Sequence, residues 1–305
     1  MARLLTSPLQ TDTASGRVVP GRWPVDLMIG GYLTASAALI AFFFRAVPDA
    51  GLLLAIHTAA LLLMAVSIRY PSQMAVFRHW YPLPYVAACY KEMAILIPVI
   101  RNVDFDAQIS ELDYQIWGAH VSVWMERIHH PLLTEFLQAA YTLFIPCVLL
   151  VAAILWKKGK YRDFRYYAFL VALGFLASYI GYMLVPVRGP RFFLAHLQHF
   201  PLYGARMFHG MQRVLDNLEA AHFDCFPSGH TELTLIAWWS SRRISAKLFA
   251  AYSVYSLVIV FATVYLRYHY TIDVFAGAVL AAMLLVITPG IYERAIRPSR
   301  AEEDI

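Results

Sequence analysis

The sequence predicts an all-α fold, a polytopic bundle of about eight membrane-spanning helices. Three observations predict it. Hydrophobic residues make up 60% of the 305-residue chain and charged residues 15%, against about 45–50% and about 25% in soluble domains. Apolar runs of roughly 20 residues, the length that crosses a bilayer, recur along the chain. Lysines and arginines cluster in alternate connections between those runs, as they do on the cytoplasmic side of membrane proteins.

The elements follow in order. Residues 1–23 are polar and turn-rich and lack the apolar centre and small-residue cleavage site of a signal peptide, so they read as a cytoplasmic tail. Spans are expected near Val25–Phe44, Gly51–Ile68, Tyr81–Ile100, Thr134–Trp156, Tyr166–Val185, His230–Ser241, Ala246–Leu266 and Tyr270–Ile291. The third carries Lys91 and Glu92 at its middle. The sixth is short and is expected to start below the membrane surface, where irregular backbone is tolerated inside protein. Asp113–Arg127, between spans three and four, reads either as an interfacial amphipathic helix or as a short packed helix. Cys89, Cys147 and Cys225 form no disulfide framework and read as thiols. No basic arm suggests a nucleic-acid partner. The chain divides into a 1–23 tail, two accessory spans over 24–79, a bundle carrying the chemistry over 80–293, and a 294–305 tail.

With eight spans, the connections holding Arg69 and Arg78, then Lys157 to Arg165, then Arg242 to Lys247, and the segment with Arg294, Arg297 and Arg300 all fall on one side. The positive-inside rule makes that side cytoplasmic, with both termini. The segments Arg188 to Cys225 and Arg267 to Asp273 then face the periplasm or lumen.

Those two outer segments carry the chemistry. In Cys225-Phe-Pro-Ser-Gly-His230, Ser228 is suited to cap a helix whose free N–H groups, from Gly229 onward, would receive phosphate, with His230 on the first turn. A capped helix start with an incidental histidine is the plainer reading. In Arg267-Tyr-His269-Tyr-Thr-Ile-Asp273, the four-residue spacing places a carboxylate beside an imidazole. That fixes the tautomer and leaves the second ring nitrogen free to attack. A salt bridge at a helix end is the plainer alternative here. Arg188-Gly-Pro-Arg191 offers two guanidinium groups for phosphate oxygens, although juxtamembrane arginines also bind lipid headgroups without further role. Together the runs supply a nucleophile, its orienting carboxylate, a second imidazole as acid, and cationic phosphate ligands: phosphoryl transfer through a phosphohistidine, with no cofactor and no metal. His129-His130, an adjacent pair, is poorly disposed to share one ion.

These runs resemble the type-2 phosphatidic acid phosphatase superfamily. Pro227 to His230 matches its Pro-Ser-Gly-His motif, and His269 with Asp273 matches its His-x-x-x-Asp motif. The resemblance implies a six-helix core in spans three to eight, His269 as nucleophile, Asp273 orienting it, and His230 protonating the leaving oxygen. Two departures stand out. Ala262 and Thr263 occupy the positions of the family's Ser-Arg, and Arg188-Gly-Pro-Arg191 replaces its Lys and Arg-Pro pattern. The phosphate ligands expected in their stead are Arg191, Arg267 and Arg188, with Ser228 and Gly229. Thr263-x-Tyr265-Leu-x-x-His269-Tyr-x-x-Asp273 and Asp113-Tyr-Gln-Ile-Trp-Gly look more like the inositol-phosphorylceramide-synthase branch, and His269-Tyr-Thr-x-Asp273-Val is similar to sphingomyelin synthases as well.

The expectation is therefore an integral membrane enzyme acting on a phospholipid or lipid phosphate. It transfers a phospho-headgroup to a lipid alcohol, or it is a simple phosphatidic-acid or isoprenyl-phosphate phosphatase. A non-enzymatic transporter or lipid-binding protein, with Lys91 and Glu92 as its marks, is the alternative from another class.

Overall fold

The computed structural model describes residues 23–101, 103–218 and 223–296. Most of both expected tails, with Arg297 and Arg300, lies outside the described residues. The architecture is the expected all-α polytopic bundle. The long helices are α1 (Pro24–Phe42), α2 (Ala50–Arg69), α3 (Pro82–Ile100), α4 (Asp106–Trp117), α5 (Pro131–Thr142), α6 (Phe144–Lys157), α7 (Tyr161–Leu184), α8 (Phe208–Leu218), α9 (Gly229–Ser241), α10 (Ala246–Tyr265) and α11 (Thr271–Ile296).

Six of these, α1, α2, α3, α7, α10 and α11, are long and apolar enough to cross a membrane. The expected fourth span coincides with two helices, α5 and α6, which bend by 46° at Leu143 and do not form one straight span. The expected sixth is α9, whose 13 residues reach about 20 Å at 1.5 Å each, short of a hydrocarbon core about 30 Å thick. It packs against α6, α7, α10 and α11, so its ends need not meet lipid.

The bundle wears its apolar residues outside. Leu27, Leu62, Leu257 and Val286 are exposed on four different helices, which suits a hydrocarbon solvent and not water. Inside, α7 is the axis, with Phe164, Tyr167, Leu170 and Tyr179 buried. Helices approach closely where a small residue permits. A Cβ on Gly181 of α7 would lie 2.4 Å from Pro227, and one on Gly277 of α11 would lie 2.4 Å from the Ser228 carbonyl. The second approach sets the start of α11 against the start of α9.

The basic connections gather at one end. Lys160 Nζ donates to the Arg243 carbonyl, and Arg243 pairs with Asp163 at 3.0 Å. Arg78 donates to both oxygens of Asp26 at the start of α1, and Trp23 Nε1 donates to the Tyr292 hydroxyl at 3.1 Å. Of the connections grouped by alternation, those holding Arg78, Lys160 and Arg243 make these contacts, whereas Arg297 and Arg300 lie outside the described residues.

One expectation needs correcting. Asp113–Arg127 is not one amphipathic helix. α4 ends at Trp117, Gly118 takes a left-handed φ of 67°, and a short turn of α-helix at Val121–Trp124 runs into a 3-10 turn at Met125–Ile128. The mid-span charges Lys91 and Glu92 each meet a partner on another segment. Glu92 meets His57 of α2 at 3.3 Å, and Lys91 Nζ donates to the Asn217 carbonyl at 3.2 Å.

Candidate active site

At the end opposite the basic cluster, His230 and His269 face one cleft of about 180 Å³, lined also by Tyr141, Arg188, Arg191, Asp216, Asp224, Cys225 and Tyr268. The histidine rings lie 5.8 Å apart, centre to centre. Each arrives on a different element for a local reason. Ser228 caps α9, its Oγ accepting from Thr231 N at 3.3 Å, so His230 falls on the first turn as the sequence requires. The His230 ring stacks on Tyr141 at 4.1 Å, and its Nδ1 is 3.2 Å from the Tyr141 hydroxyl.

His269 precedes α11 and does not lie on it, so its neighbourhood with Asp273 is not that of two residues on one helical face. Its backbone N–H, with that of Tyr268, donates to the Thr263 carbonyl. Nδ1 stands 3.7 Å from Asp273 Oδ2, too far for a good hydrogen bond. It is 2.8 Å from the Cys225 carbonyl. A carbonyl only accepts, so Nδ1 carries the proton and Nε2 keeps its lone pair. Asp273 Oδ2 instead accepts from the Cys225 thiol at 2.8 Å and from Tyr270 N at 2.7 Å. Burial, reinforced by Asp273, holds the Cys225 thiol well above its ordinary pKa, so it stays a donor. Cys225, read from sequence as an ordinary loop thiol, is an interposed member of the His–Asp pair. Nothing in its position along the chain signalled that.

The candidate phosphate ligands separate. Arg188 and Arg191 line the cleft; Arg267 does not. Arg267 is buried, with Nη2 on Glu126 Oε1 at 2.8 Å and Nη1 on Gln198 Oε1 at 2.7 Å and on the Phe200 carbonyl at 3.0 Å. Its backbone is left-handed at φ 66°, an uncommon conformation for a residue with a side chain, and its carbonyl accepts from Arg191 N at 2.8 Å. It thus joins three outer segments and lies outside the cleft where the sequence reading has it grip phosphate. Ser228 and Gly229 form the helix start but are buried and absent from the cleft lining.

Two acids of α4 build the site without entering the cleft. Asp106 accepts from Arg188 N at 2.8 Å and Gly189 N at 2.9 Å. Burial raises its pKa, while those two N–H groups and Arg188 oppose the rise. Asp113 accepts from Thr271 Oγ1, and from Ile272 N at 3.0 Å, and so caps α11 from another helix. The Arg188–Arg191 turn needs its glycine. Gly189 has φ 92°, and a Cβ there would lie 2.8 Å from the Tyr268 carbonyl and 3.0 Å from Cys225 Sγ.

Among the described residues, Cys225, His269 and Asp273 are the group whose donor atoms lie close enough, within 4.8 Å, to hold a metal ion. His129 and His130 are engaged separately, with the Tyr203 carbonyl and with Leu132 N.

The family model of the PAP2 superfamily matches residues 107–287, more than half of the chain, and the chain belongs to that superfamily. Membership makes it an enzyme of phosphatase or phosphotransferase type. The match begins after α3, so α1 to α3 lie outside it. No curated protein and no solved structure matches the chain.

Proposed function

We propose that this enzyme transfers a phospho-headgroup from a membrane phospholipid to a lipid alcohol, as the inositol-phosphorylceramide-synthase branch does, through a phosphohistidine. The observation that carries the reading is the pairing of His230 and His269 across one cleft walled by Arg188 and Arg191. His269 Nε2 attacks phosphorus with its lone pair, and the P–O bond to the leaving alcohol breaks. His230 gives that oxygen a proton. In the second half, the acceptor hydroxyl yields its proton to His230 and attacks phosphorus, and the P–N bond breaks. Arg188 and Arg191 neutralise the phosphate oxygens, and Asp273 with Cys225 holds the nucleophile's far side. Hydrolysis uses the same groups with water as acceptor; Arg188, 41% exposed, leaves the cleft open enough for it. The basic cluster at the other end supports a site facing away from the cytoplasm.

Purified enzyme, phospholipid donors, and a long-chain alcohol or ceramide acceptor, followed by lipid mass spectrometry, test the reading. A phosphorylated acceptor is the expected product. Free phosphate or free phospho-headgroup alone would make the enzyme a hydrolase. The proposed steps draw no charge from a metal ion, so activity is expected to survive EDTA. Loss with EDTA and recovery with one added metal would move the Cys225, His269 and Asp273 group from orienting device to metal centre.

A further inference from the structure

Asp216 belongs to none of the motifs that mark the site. It lies on α8, whose Phe208 and Leu215 are buried in a small cluster with Leu137 and Tyr141. From there its carboxylate reaches the cleft and meets Arg191 in a two-point fork, Nη1 to Oδ1 at 2.7 Å and Nη2 to Oδ2 at 3.0 Å. Arginine presents the same fork to a phosphate. Asp216 therefore already engages the surface that Arg191 would offer to substrate. The pair is partly open, with side chains 26% and 43% exposed, so a small phosphate ester can reach it. Asp224 lines the same cleft. Besides the histidines, the cleft lining carries two guanidiniums and two carboxylates, and Arg188 is further paired with Asp104 at 2.7 Å. A phosphodiester brings one negative charge to that cleft, whereas a phosphomonoester brings close to two above its second pKa of about 6.

We propose that Asp216 is a specificity-determining residue, whose carboxylate on Arg191 selects phosphodiester monoanions over phosphomonoester dianions. The proposal rests on the site reading given above. It deepens that reading by assigning the donor class to one residue outside the family motifs.

The test uses full-length protein in neutral detergent and two chromogenic esters, methyl p-nitrophenyl phosphate and p-nitrophenyl phosphate. At about pH 8 the second is a dianion, and at about pH 5, where the nitrophenyl group brings its second pKa, roughly half of it is a monoanion. In Asp216→Asn at the higher pH, the diester-to-monoester ratio of kcat/KM is expected to fall about tenfold, equivalent to about 1.4 kcal/mol, through a gain on the monoester. The change is expected to shrink at the lower pH and at high salt, where the charge difference is reduced or screened. Asp216→Glu keeps the charge and is expected to keep the wild-type ratio. A ratio unchanged in Asp216→Asn overturns the proposal. So does an equal fall on both substrates that Glu rescues, which would make the carboxylate a holder of Arg191 without selectivity. His269→Ala separates the two claims: turnover surviving in that variant breaks the site reading, whatever Asp216 does to the ratio.

Discussion

At the scale of single residues, the two histidines carry different expectations. Nothing covalent forms without the nucleophile, so His269→Ala should show no phosphoenzyme with any substrate. A nitrophenyl leaving group needs little protonation, so His230→Ala should recover partial phosphorylation with a nitrophenyl ester. Trapping at alkaline pH, where a phosphoramidate survives, identifies the labelled residue. Phosphate on His230 would exchange the two roles. Cys225 gives a second expectation. Its thiol donates to a fully buried carboxylate oxygen, and removing a donor to a charged acceptor costs about 1.5–3 kcal/mol. Cys225→Val should therefore lower kcat by tenfold or more with KM little changed, and Cys225→Ser, which keeps a donor, should stay within a few-fold. Equal rates in both variants would leave the thiol as mere packing.

At the scale of elements, the outer segments are tied by buried polar groups and not by regular structure. Arg267 connects the Glu126 turn, the 198–200 segment and the Arg191 backbone. Breaking a buried ion pair from one side costs about 3–5 kcal/mol. Arg267→Ala should thus lower the thermal midpoint in detergent markedly. Arg191→Lys should leave the midpoint near wild type and reduce kcat/KM, because lysine has no planar fork for phosphate. The opposite pattern in these two variants would return Arg267 to the phosphate. Gly189→Ala should inactivate, since it places a Cβ against Cys225 and Tyr268 in a left-handed turn. A wild-type rate there would show that the turn yields.

At the scale of the whole molecule, the two ends differ in charge and in chemistry. Lys160, Asp163 and Arg243 meet at one end, and Asp106, Arg188 and Asp273 gather around the cleft at the other. In intact vesicles of known orientation, an impermeant thiol reagent applied from outside should label Met207→Cys and spare Lys158→Cys, both positions being exposed. The reverse pattern would place the reaction on the cytoplasmic side. Native thiols interfere little, since Cys89 and Cys225 are buried and Cys147 is partly so.

Composition and periodicity by themselves determined the solvent of this chain, its helices and the grouping of its basic connections. Each of these depends on local sequence: on run length against bilayer thickness, and on charge against membrane side. The capped start at Ser228 and the place of His230 after it were legible for the same reason. The bend at Leu143 and the shortness of α9 were only half legible, because they depend on what packs around them. The tertiary structure alone decided how the site is wired. Asp106 and Asp113 reach across more than eighty residues of chain to hold Gly189 and Ile272. Cys225 comes between His269 and Asp273, and Arg267 is drawn to Glu126 while Arg191 turns to Asp216. Guanidinium and carboxylate partners are chosen by distance in space, and the spacing of residues along a chain carries no record of which distant carboxylate an arginine will meet.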